Sequence, residues 1–425
     1  MIQEFNKINK VKGELSLPGD KSISHRAIMF ASMAKGKSVI KNLSNGQDVA
    51  STMKCFEQLG VEIKKGKSEF IVNGKGFKNF IKPSESLDCS NSGTTARLIT
   101  GFLCTQNFET TLIGDESLSK RPMDRVTIPL TQMGARFESK NNRLPLKIFP
   151  ANEIHPINYE LPVASAQIKS AVILAGLHSE GITSVIEKLP SRNHTEKMLG
   201  LEVKENKSGN TILVSKINYP VPAEYFVPSD VSSAAFFVVL AILSKNSSLR
   251  IKNVGLNETR KGYLEILEQM GAKINYENIS VSGGETYGDI IVETSKLQNI
   301  EVPKEIIPNI IDEIPVLSVA GLFAEGNFTI RNASELRKKE SDRISTLCFN
   351  YKLLGLEVEE SEDGFSLSGE IKNKNVVFNS FDDHRIAMAF AVLSMLLNDG
   401  GKVDNFDCVA ISNPDFLKQV KMITG

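Results

Sequence analysis

The sequence predicts an α/β protein, of the α+β kind, made of two similar domains. Three observations carry that prediction. A polar cluster followed by an apolar run of helical length occurs six times, at a period of about 70 residues. Each run meets a Gly or Asn where the helix should stop, and a short β-type stretch follows. In most copies a second helix then ends in Leu-Gly or Met-Gly and turns into another strand.

The six runs, in chain order, are SISHRAIMFASMAKG, SGTTARLITGFLCTQ, SAQIKSAVILAGLHSEG, SDVSSAAFFVVLAILSKN, IDEIPVLSVAGLFAEG and DDHRIAMAFAVLSMLLNDG. The stretches after them are SVIKN, TTLIGD, TSVIEK, LRIKN, FTIRN and KVDN, and they place Asn42, Asp115, Lys188, Asn253, Asn332 and Asn405 at corresponding positions. The second-helix stops are Gly60, Gly134, Gly200, Gly271 and Gly355, where glycine lets the chain leave through a left-handed conformation. Each copy therefore reads as a strand-helix-strand-helix-strand module, three modules to each half, and such halves form compact domains with a cleft between them. The boundary is expected near VPSDVSS, residues 227–233, after the proline-punctuated NYPVPAEYFVP, a linker of hinge type.

Beyond its opening residues the first helix of each module is almost wholly apolar, so it should be buried with only its N-terminus reaching a surface. Ser22, Arg26, Ser92, Arg97, Ser165, Gln167, Asp312, Asp382, Asp383, His384 and Arg385 occupy those openings. If the modules are arranged alike, several positive helix ends converge, and together they make an anion site.

Composition narrows the function. The chain has 425 residues, with 50 Lys+Arg balanced by 50 Asp+Glu, which is ordinary globular chemistry. A formal net charge of zero argues against a nucleic-acid or anionic-membrane binder, so an anionic ligand must be caught by local charge. The five cysteines are odd in number and lack CxxC spacing, which disfavours a disulfide framework or structural zinc. The polar start MIQEFNKINK and an apolar run no longer than Ala234 to Leu243 point to a cytoplasmic protein that does not span a membrane.

Arginine is scarce, 13 against 37 lysines, and its placement is informative. Arg26, Arg97, Arg121, Arg125, Arg192, Arg343 and Arg385 fall in helix starts or the Gly- and Ser-rich loops beside them. Arginine grips phosphate and carboxylate through two parallel bonds, so the cluster favours a small polyanionic substrate over isolated surface ion pairs. No GxxxxGK[ST] loop occurs to explain it.

Individual motifs leave alternatives open. In LPGDKSISHRA, Lys21 projects from a Pro-Gly turn, Ser22 can cap a helix or donate to a ligand, and Arg26 lies one turn on along the same face. In SNSGTTARL, Gly93 at a helix start lets a ligand approach backbone N–H groups. GDESLSKRPMDR puts Arg121 before Pro122, which as a first helical residue would aim Arg121 off the helix start; the plainer reading is a helix-entry loop. Ser165 and Gln167 in PVASAQIKSA are short neutral donors. Asp312 in PNIIDEIP either caps a helix or acts as a base. ELRKKESDR packs cations and carboxylates together, or is a solvated charged loop, and DDHR holds a histidine between carboxylates or is a plain N-cap.

Taken in order, LPGDKSISHRA, NSGTTARL, GDxSLxxRPM, ASAQIKSAVILAGL, SRNHTEKML, IDEIPVLSVA, ELRxKESDR and DHRIAMAF resemble the 5-enolpyruvylshikimate-3-phosphate synthases over essentially the whole chain. The ASAQ and SGTT forms resemble the variant group called class II. The resemblance implies the enolpyruvyl transferase fold, two domains each of three βαβαββ units with the active site in the interdomain cleft. It also implies that the chain crosses between domains twice, giving 1–18 plus 232–425 as one domain and 19–231 as the other.

It further implies that the 5-hydroxyl of shikimate 3-phosphate attacks C2 of phosphoenolpyruvate while C3 is protonated, and that the adduct then expels phosphate, with no metal or cofactor. Carried over by motif, Lys21, Ser22, Arg26, Ser165, Ala166, Gln167, Asp312 and Lys339 match the shikimate-phosphate positions, with Arg192 as a further contact. Lys21, Gly93, Arg121, Gln167, Arg343 and Arg385 match those for phosphoenolpyruvate. Asp312 matches the proton acceptor, and Lys21, Glu340 and His384 complete the catalytic set. The same resemblance implies a monomer that closes on its shikimate ligand and has no nucleic-acid or membrane partner.

Two features qualify the match. Many members carry a lysine shortly before a [TS]-[FY]-P near the C-terminus, whereas this chain reads AISNPDF with Ser412 and Asn413, so the closing charge on the enolpyruvyl side falls to Arg385. Gly93 rather than Ala leaves room for a bulkier phosphonate analogue of phosphoenolpyruvate. The nearest rival, an enolpyruvyl transferase acting on UDP-N-acetylglucosamine, usually has Lys-Asn where this chain has Lys21-Ser22, and a cysteine in the loop that here runs without one from Gly114 to Arg125. A rival of another class is a non-catalytic anion-binding protein on the same scaffold.

Overall fold

The six apolar runs form helices: α1 (Lys21–Met33), α2 (Gly93–Leu103), α3 (Ala166–Gly176), α4 (Val231–Leu243), α5 (Ile314–Leu322) and α6 (His384–Leu396). The structure is a computed structural model that describes residues 1–151, 153–207 and 209–424. Side chains of Asp20, Ser92, Ser165, Asp230 and Asp383 accept backbone N–H groups at the starts of α1, α2, α3, α4 and α6. Each such cap contributes about 1 kcal/mol, so the polar clusters that open the repeats have a structural reason of their own. Past their first residues the helices are buried on all sides, as their uniform apolarity requires.

The helices α2, α3 and α6 each cross between two parallel strands, and a hairpin completes the small sheets of the first two. In the second repeat Leu87–Asp88 runs parallel to Thr110–Ile113, with α2 as the crossover. Thr110–Ile113 pairs antiparallel with Leu146–Phe149, which pairs antiparallel with Arg136–Ser139 after the helix Asp124–Gln132. This is the βαβαββ module. Two modules complete their sheets with distant strands. Glu224–Phe226 runs parallel to Lys35–Lys41 in the first, and Lys12–Ser16 runs parallel to Ser248–Gly255 in the fourth. Gln3–Phe5 pairs antiparallel with Gly401–Val403 in the sixth.

The expected stops behave as local chemistry demands. Gly60, Gly134, Gly200, Gly271 and Gly355 all have positive φ, between 60° and 104°. Asn42, Asn253, Asn332 and Asn405 also take left-handed conformations, which a short polar side chain tolerates. Asp115 instead caps the short helix Glu116–Ser119, its Oδ1 accepting from Leu118 N at 2.7 Å.

The chain divides into two compact units. The first is Met1–Pro18, Ser229–Ser280 and Thr286–Gly425; the second is Gly19–Pro228 with the hairpin tip Val281–Glu285. The second crossing falls at Pro228–Ser229 rather than after residue 231, because Asp230 already caps α4 and its N–H donates to Pro18 O at 3.0 Å within the first unit. In the second unit Asp20 N donates to Pro228 O at 2.7 Å, so the two Pro-x-Asp turns play equivalent roles.

Each unit has its own core, built around three of the six helices. In the first unit α4, α5 and α6 pack on one another. In the second α2 packs closely on α3, and Gly101 makes that approach possible: a Cβ there would stand 2.1 Å from Ala171 O. Among the described residues no helix is long and apolar enough to cross a membrane.

Candidate active site

In the second unit the starts of α1, α2 and α3 come together through side chains. Lys21, the first residue of α1, pairs with Asp48 at 2.9 Å. Asp20 is the cap of this helix, so Ser22 is not; its carbonyl accepts from Arg26 Nη1 at 2.9 Å, one turn along the same face. Arg26 also donates from Nε to Thr195 Oγ1 at 2.7 Å and from Nη2 to Ser170 Oγ at 2.8 Å. Burial lowers its pKa to about 10, against the pull of Glu196, Asp20 and Glu285, so the group stays cationic at neutral pH. Nearby Arg192, in the loop before the helix His194–Leu199, adds to that lowering.

A second cluster surrounds the α2 start. Arg97 Nη1 donates to Gln167 Oε1 at 2.7 Å, and Gln167 Nε2 donates to Thr94 Oγ1 at 3.1 Å. Arg121 Nη2 donates to Asn91 Oδ1 at 3.2 Å. A Cβ on Gly93 would stand 3.0 Å from Arg97 Nη1 and 3.3 Å from Arg121 Nη1, so the missing side chain opens space in front of two guanidinium groups. Ser165 caps α3 next to Ala166 and Gln167. Beneath these groups a buried chain links α1 to α2: His25 Nδ1 lies 2.6 Å from Thr52 Oγ1, Thr52 Oγ1 lies 2.7 Å from Thr95 Oγ1, and Thr95 Oγ1 lies 2.7 Å from Ser92 Oγ. Burial, then the charges of Lys21 and Arg26, hold His25 well below the usual histidine range, so its ring is neutral.

In the first unit the charges converge on Asp312, in the turn before α5. Arg343 Nη1 lies 3.1 Å and Lys339 Nζ 3.3 Å from its Oδ1. Arg385 donates from Nη1 to Asp312 O at 3.0 Å and lies 3.5 Å from Glu313 Oε1. Arg343 is buried and also bonds Glu340 Oε2 at 2.7 Å and Asp383 Oδ2 at 2.8 Å. Burial works against its charge, but Asp383, Glu340 and Asp312 outweigh burial and raise its pKa. Asp383 is likewise opposed by burial and rescued by Arg343, which leaves its pKa below the ordinary carboxylate value. Its Oδ1 accepts from Arg385 N at 2.9 Å, so the carboxylate caps α6 and pairs with Arg343 at once. His384 is buried in the first turn of α6.

Several alternatives resolve. Asp312 is not a side-chain cap, because α5 begins at Ile314 with no capping side chain and the Asp312 carboxylate faces cations. ELRKKESDR is not a plain solvated loop, since Arg343 within it is buried. Pro122 is not a first helical residue: the helix starts at Asp124, and the Pro122 carbonyl accepts from Arg97 Nη2 at 3.3 Å. Asn413 is buried and donates to Gln419 Oε1 at 2.8 Å, so the segment that departs from the family pattern has a structural use here. Sequence reasoning passed over Asp48 and Glu313. Asp48 gave no signal, because its partner is 27 residues away. Glu313 lay beside Asp312 in an apolar run, where any second carboxylate needs a partner.

Comparison with known proteins agrees across the chain. The family model described as EPSP synthase (3-phosphoshikimate 1-carboxyvinyltransferase) matches residues 5–420. A 3-phosphoshikimate 1-carboxyvinyltransferase of Petrotoga mobilis is 44% identical over 421 residues, 97% of each chain, and that of Bacillus subtilis is 41% identical over 423 residues, 99% of each. The solved EPSP synthase of Acinetobacter baumannii superposes with a TM-score of 0.88 at 37% identity, covering 100% of this chain and 98% of that one. The enolpyruvyl transferase NikO of Streptomyces tendae, at 13% identity and a TM-score of 0.77, shares the fold. With a full-length family match and relatives above 40% identity end to end, this chain belongs to the EPSP synthase (3-phosphoshikimate 1-carboxyvinyltransferase) family.

Proposed function

We infer that this chain transfers the enolpyruvyl group of phosphoenolpyruvate to the 5-hydroxyl of shikimate 3-phosphate, releasing phosphate, a step in aromatic amino acid biosynthesis. The observation that best supports the chemistry is the setting of Asp312, a carboxylate with Lys339, Arg343 and Arg385 close around it. In this reading Asp312 accepts the proton of the attacking hydroxyl as its oxygen bonds to C2, while C3 of the enol takes up a proton. The adduct then loses a C3 proton, re-forms the double bond, and expels phosphate as the C2–O bond breaks. Lys21, Glu340 and His384 assist the proton transfers at C3.

The acceptor is held by Lys21, Ser22, Arg26, Ser165, Ala166, Gln167, Arg192, Asp312 and Lys339. Phosphoenolpyruvate is held by Lys21, Gly93, Arg121, Gln167, Arg343 and Arg385. Two phosphates and two carboxylates, one of each on either substrate, have to be neutralised together, and fixed cations do so without reorganising during the reaction. Arg26 spends three of its five N–H groups on the protein, so its part in binding is largely to stiffen the start of α1. The same reading takes the protein as a cytoplasmic monomer, and sedimentation of the purified chain checks the monomer.

The deciding assay is phosphate release from phosphoenolpyruvate with shikimate 3-phosphate as acceptor and UDP-N-acetylglucosamine as comparison. Release with the first alone is expected. Faster release with the UDP-sugar, or none with either, refutes the reading.

A further inference from the structure

Lys169 sits fully buried in the first turn of the apolar helix α3, which is a costly place for an ammonium group. Its Nζ donates to Glu187 Oε1 and Oε2 at 3.1 and 3.0 Å and to Ser191 O at 3.4 Å, and it lies 2.5 Å from Glu196 Oε1. Glu187 ends the strand Thr183–Glu187, and Glu196 belongs to the helix His194–Leu199. Glu187 Oε2 accepts in turn from Ser191 N at 3.1 Å and Ser191 Oγ at 2.8 Å. Ser191 is therefore gripped at its N–H, its hydroxyl and its carbonyl, and the next residue is Arg192.

On its other side Lys169 is one helical turn from the Ser165 cap, its own N–H donating to Ser165 O at 3.1 Å. Arg26 joins the same buried group, because Ser170 and Thr195, which accept its bonds, lie 2.6 Å from each other. Lys169 pairs with Glu187 and Glu196, and the Glu196 carboxylate also acts on Arg26, together with Asp20 and Glu285. Apolar residues of similar volume in place of Lys169, Glu187 and Glu196 together would avoid the desolvation cost, so stability alone gives no reason for the charged group. What the charge adds is directional: one side chain ties the first turn of α3, the end of a strand and the loop carrying Arg192.

We propose that Lys169 is a positioning residue for the acceptor phosphate, holding Arg192 in register with Ser165 and Gln167 without touching the ligand itself. The proposal rests on the acceptor reading above. Arg97 and Arg121 are held by bonds that Lys169 does not share, and Gln167 is fixed by Arg97 and Thr94. The effect is therefore selective for one substrate.

The test is Lys169→Met, read by calorimetric binding of shikimate 3-phosphate and by the KM of each substrate, with a melting curve to establish folding. The expected result is a rise of about tenfold in Kd and KM for shikimate 3-phosphate, with the KM for phosphoenolpyruvate within about twofold of wild type. Equal rises in both KM values, or no change in the folded variant, overturn the proposal. Should the methionine variant fail to fold, Ser191→Ala removes one strand of the grip without stranding a charge. It is expected to raise the KM for shikimate 3-phosphate alone by about threefold, and an unselective or absent effect overturns the proposal equally. A wild-type protein that fails to bind shikimate 3-phosphate refutes the acceptor reading first and takes this proposal with it.

Discussion

Asp312 and Arg343 form an ion pair at 3.1 Å in which the guanidinium is buried and the carboxylate nearly so. The pair joins the turn before α5 to the first residue of the helix Arg343–Leu353, and the sequence separates its members by 31 positions. Asp312→Asn keeps the shape and removes the charge and the proton acceptor. Loss of a positioned base costs about 10²- to 10⁴-fold in rate, so kcat is expected to fall in that range in a variant whose folding a melting curve establishes. Undiminished phosphate release would remove Asp312 from the chemistry and favour the anion-binding rival.

Arg343 answers three carboxylates, Asp312, Glu340 and Asp383, and its loss strands all of them at once. Breaking a buried pair from one side costs about 3–5 kcal/mol, because the remaining charge stays desolvated. Arg343→Met is expected to lose stability of that order in urea unfolding. The loss should shrink in acid, since Asp383 is held below its ordinary value in the wild type and its contribution disappears as pH falls through its folded pKa. A loss under 1 kcal/mol at neutral pH, set against that range, contradicts the account.

Gly93→Ala brings a methyl group within 3.0 Å of Arg97 Nη1 and 3.3 Å of Arg121 Nη1. Those guanidinium groups must give way, so steady-state kinetics should show the KM for phosphoenolpyruvate raised by roughly tenfold, a loss of about 1.4 kcal/mol. The KM for shikimate 3-phosphate should move little. A phosphonate analogue bulkier than the substrate should lose more affinity than phosphoenolpyruvate does, and equal losses would show that the space in front of Gly93 is not discriminating.

His178 is buried among Phe77, Phe102 and Tyr219, with ring centroids 4.9, 6.1 and 5.3 Å away, and burial lowers its pKa from 6.5 to about 4. The folded chain binds this proton more weakly than the unfolded chain, so acid favours unfolding, starting near 6.5 and saturating near 4. At full titration that amounts to roughly 3 kcal/mol. His178→Phe keeps a ring in the cluster and is expected to flatten the unfolding free energy between those limits. An unchanged slope would assign the acid sensitivity to other groups, His25 among them.

The local elements were legible in the sequence because their causes are local. Ser92, Ser165 and Asp383 cap the helices they open, although α1 is capped by Asp20 and not by Ser22, and Gly60, Gly134, Gly200, Gly271 and Gly355 turn the chain where their conformational freedom is needed. Six apolar helices with polar starts already implied buried rods with anion-attracting ends. Which groups meet at those ends was a matter of tertiary structure. Lys21 finds Asp48, Gln167 finds Arg97, and Asp312 finds Lys339, Arg343 and Arg385 only once parallel crossovers have stacked the modules. The same holds for Lys169, which the sequence shows as a charge in an apolar helix and the fold explains through Glu187, Glu196 and Ser191. Hydrophobic period, caps and turns act over a few residues. Charge pairing acts over a few ångströms whatever the distance along the chain, and it is decided by packing.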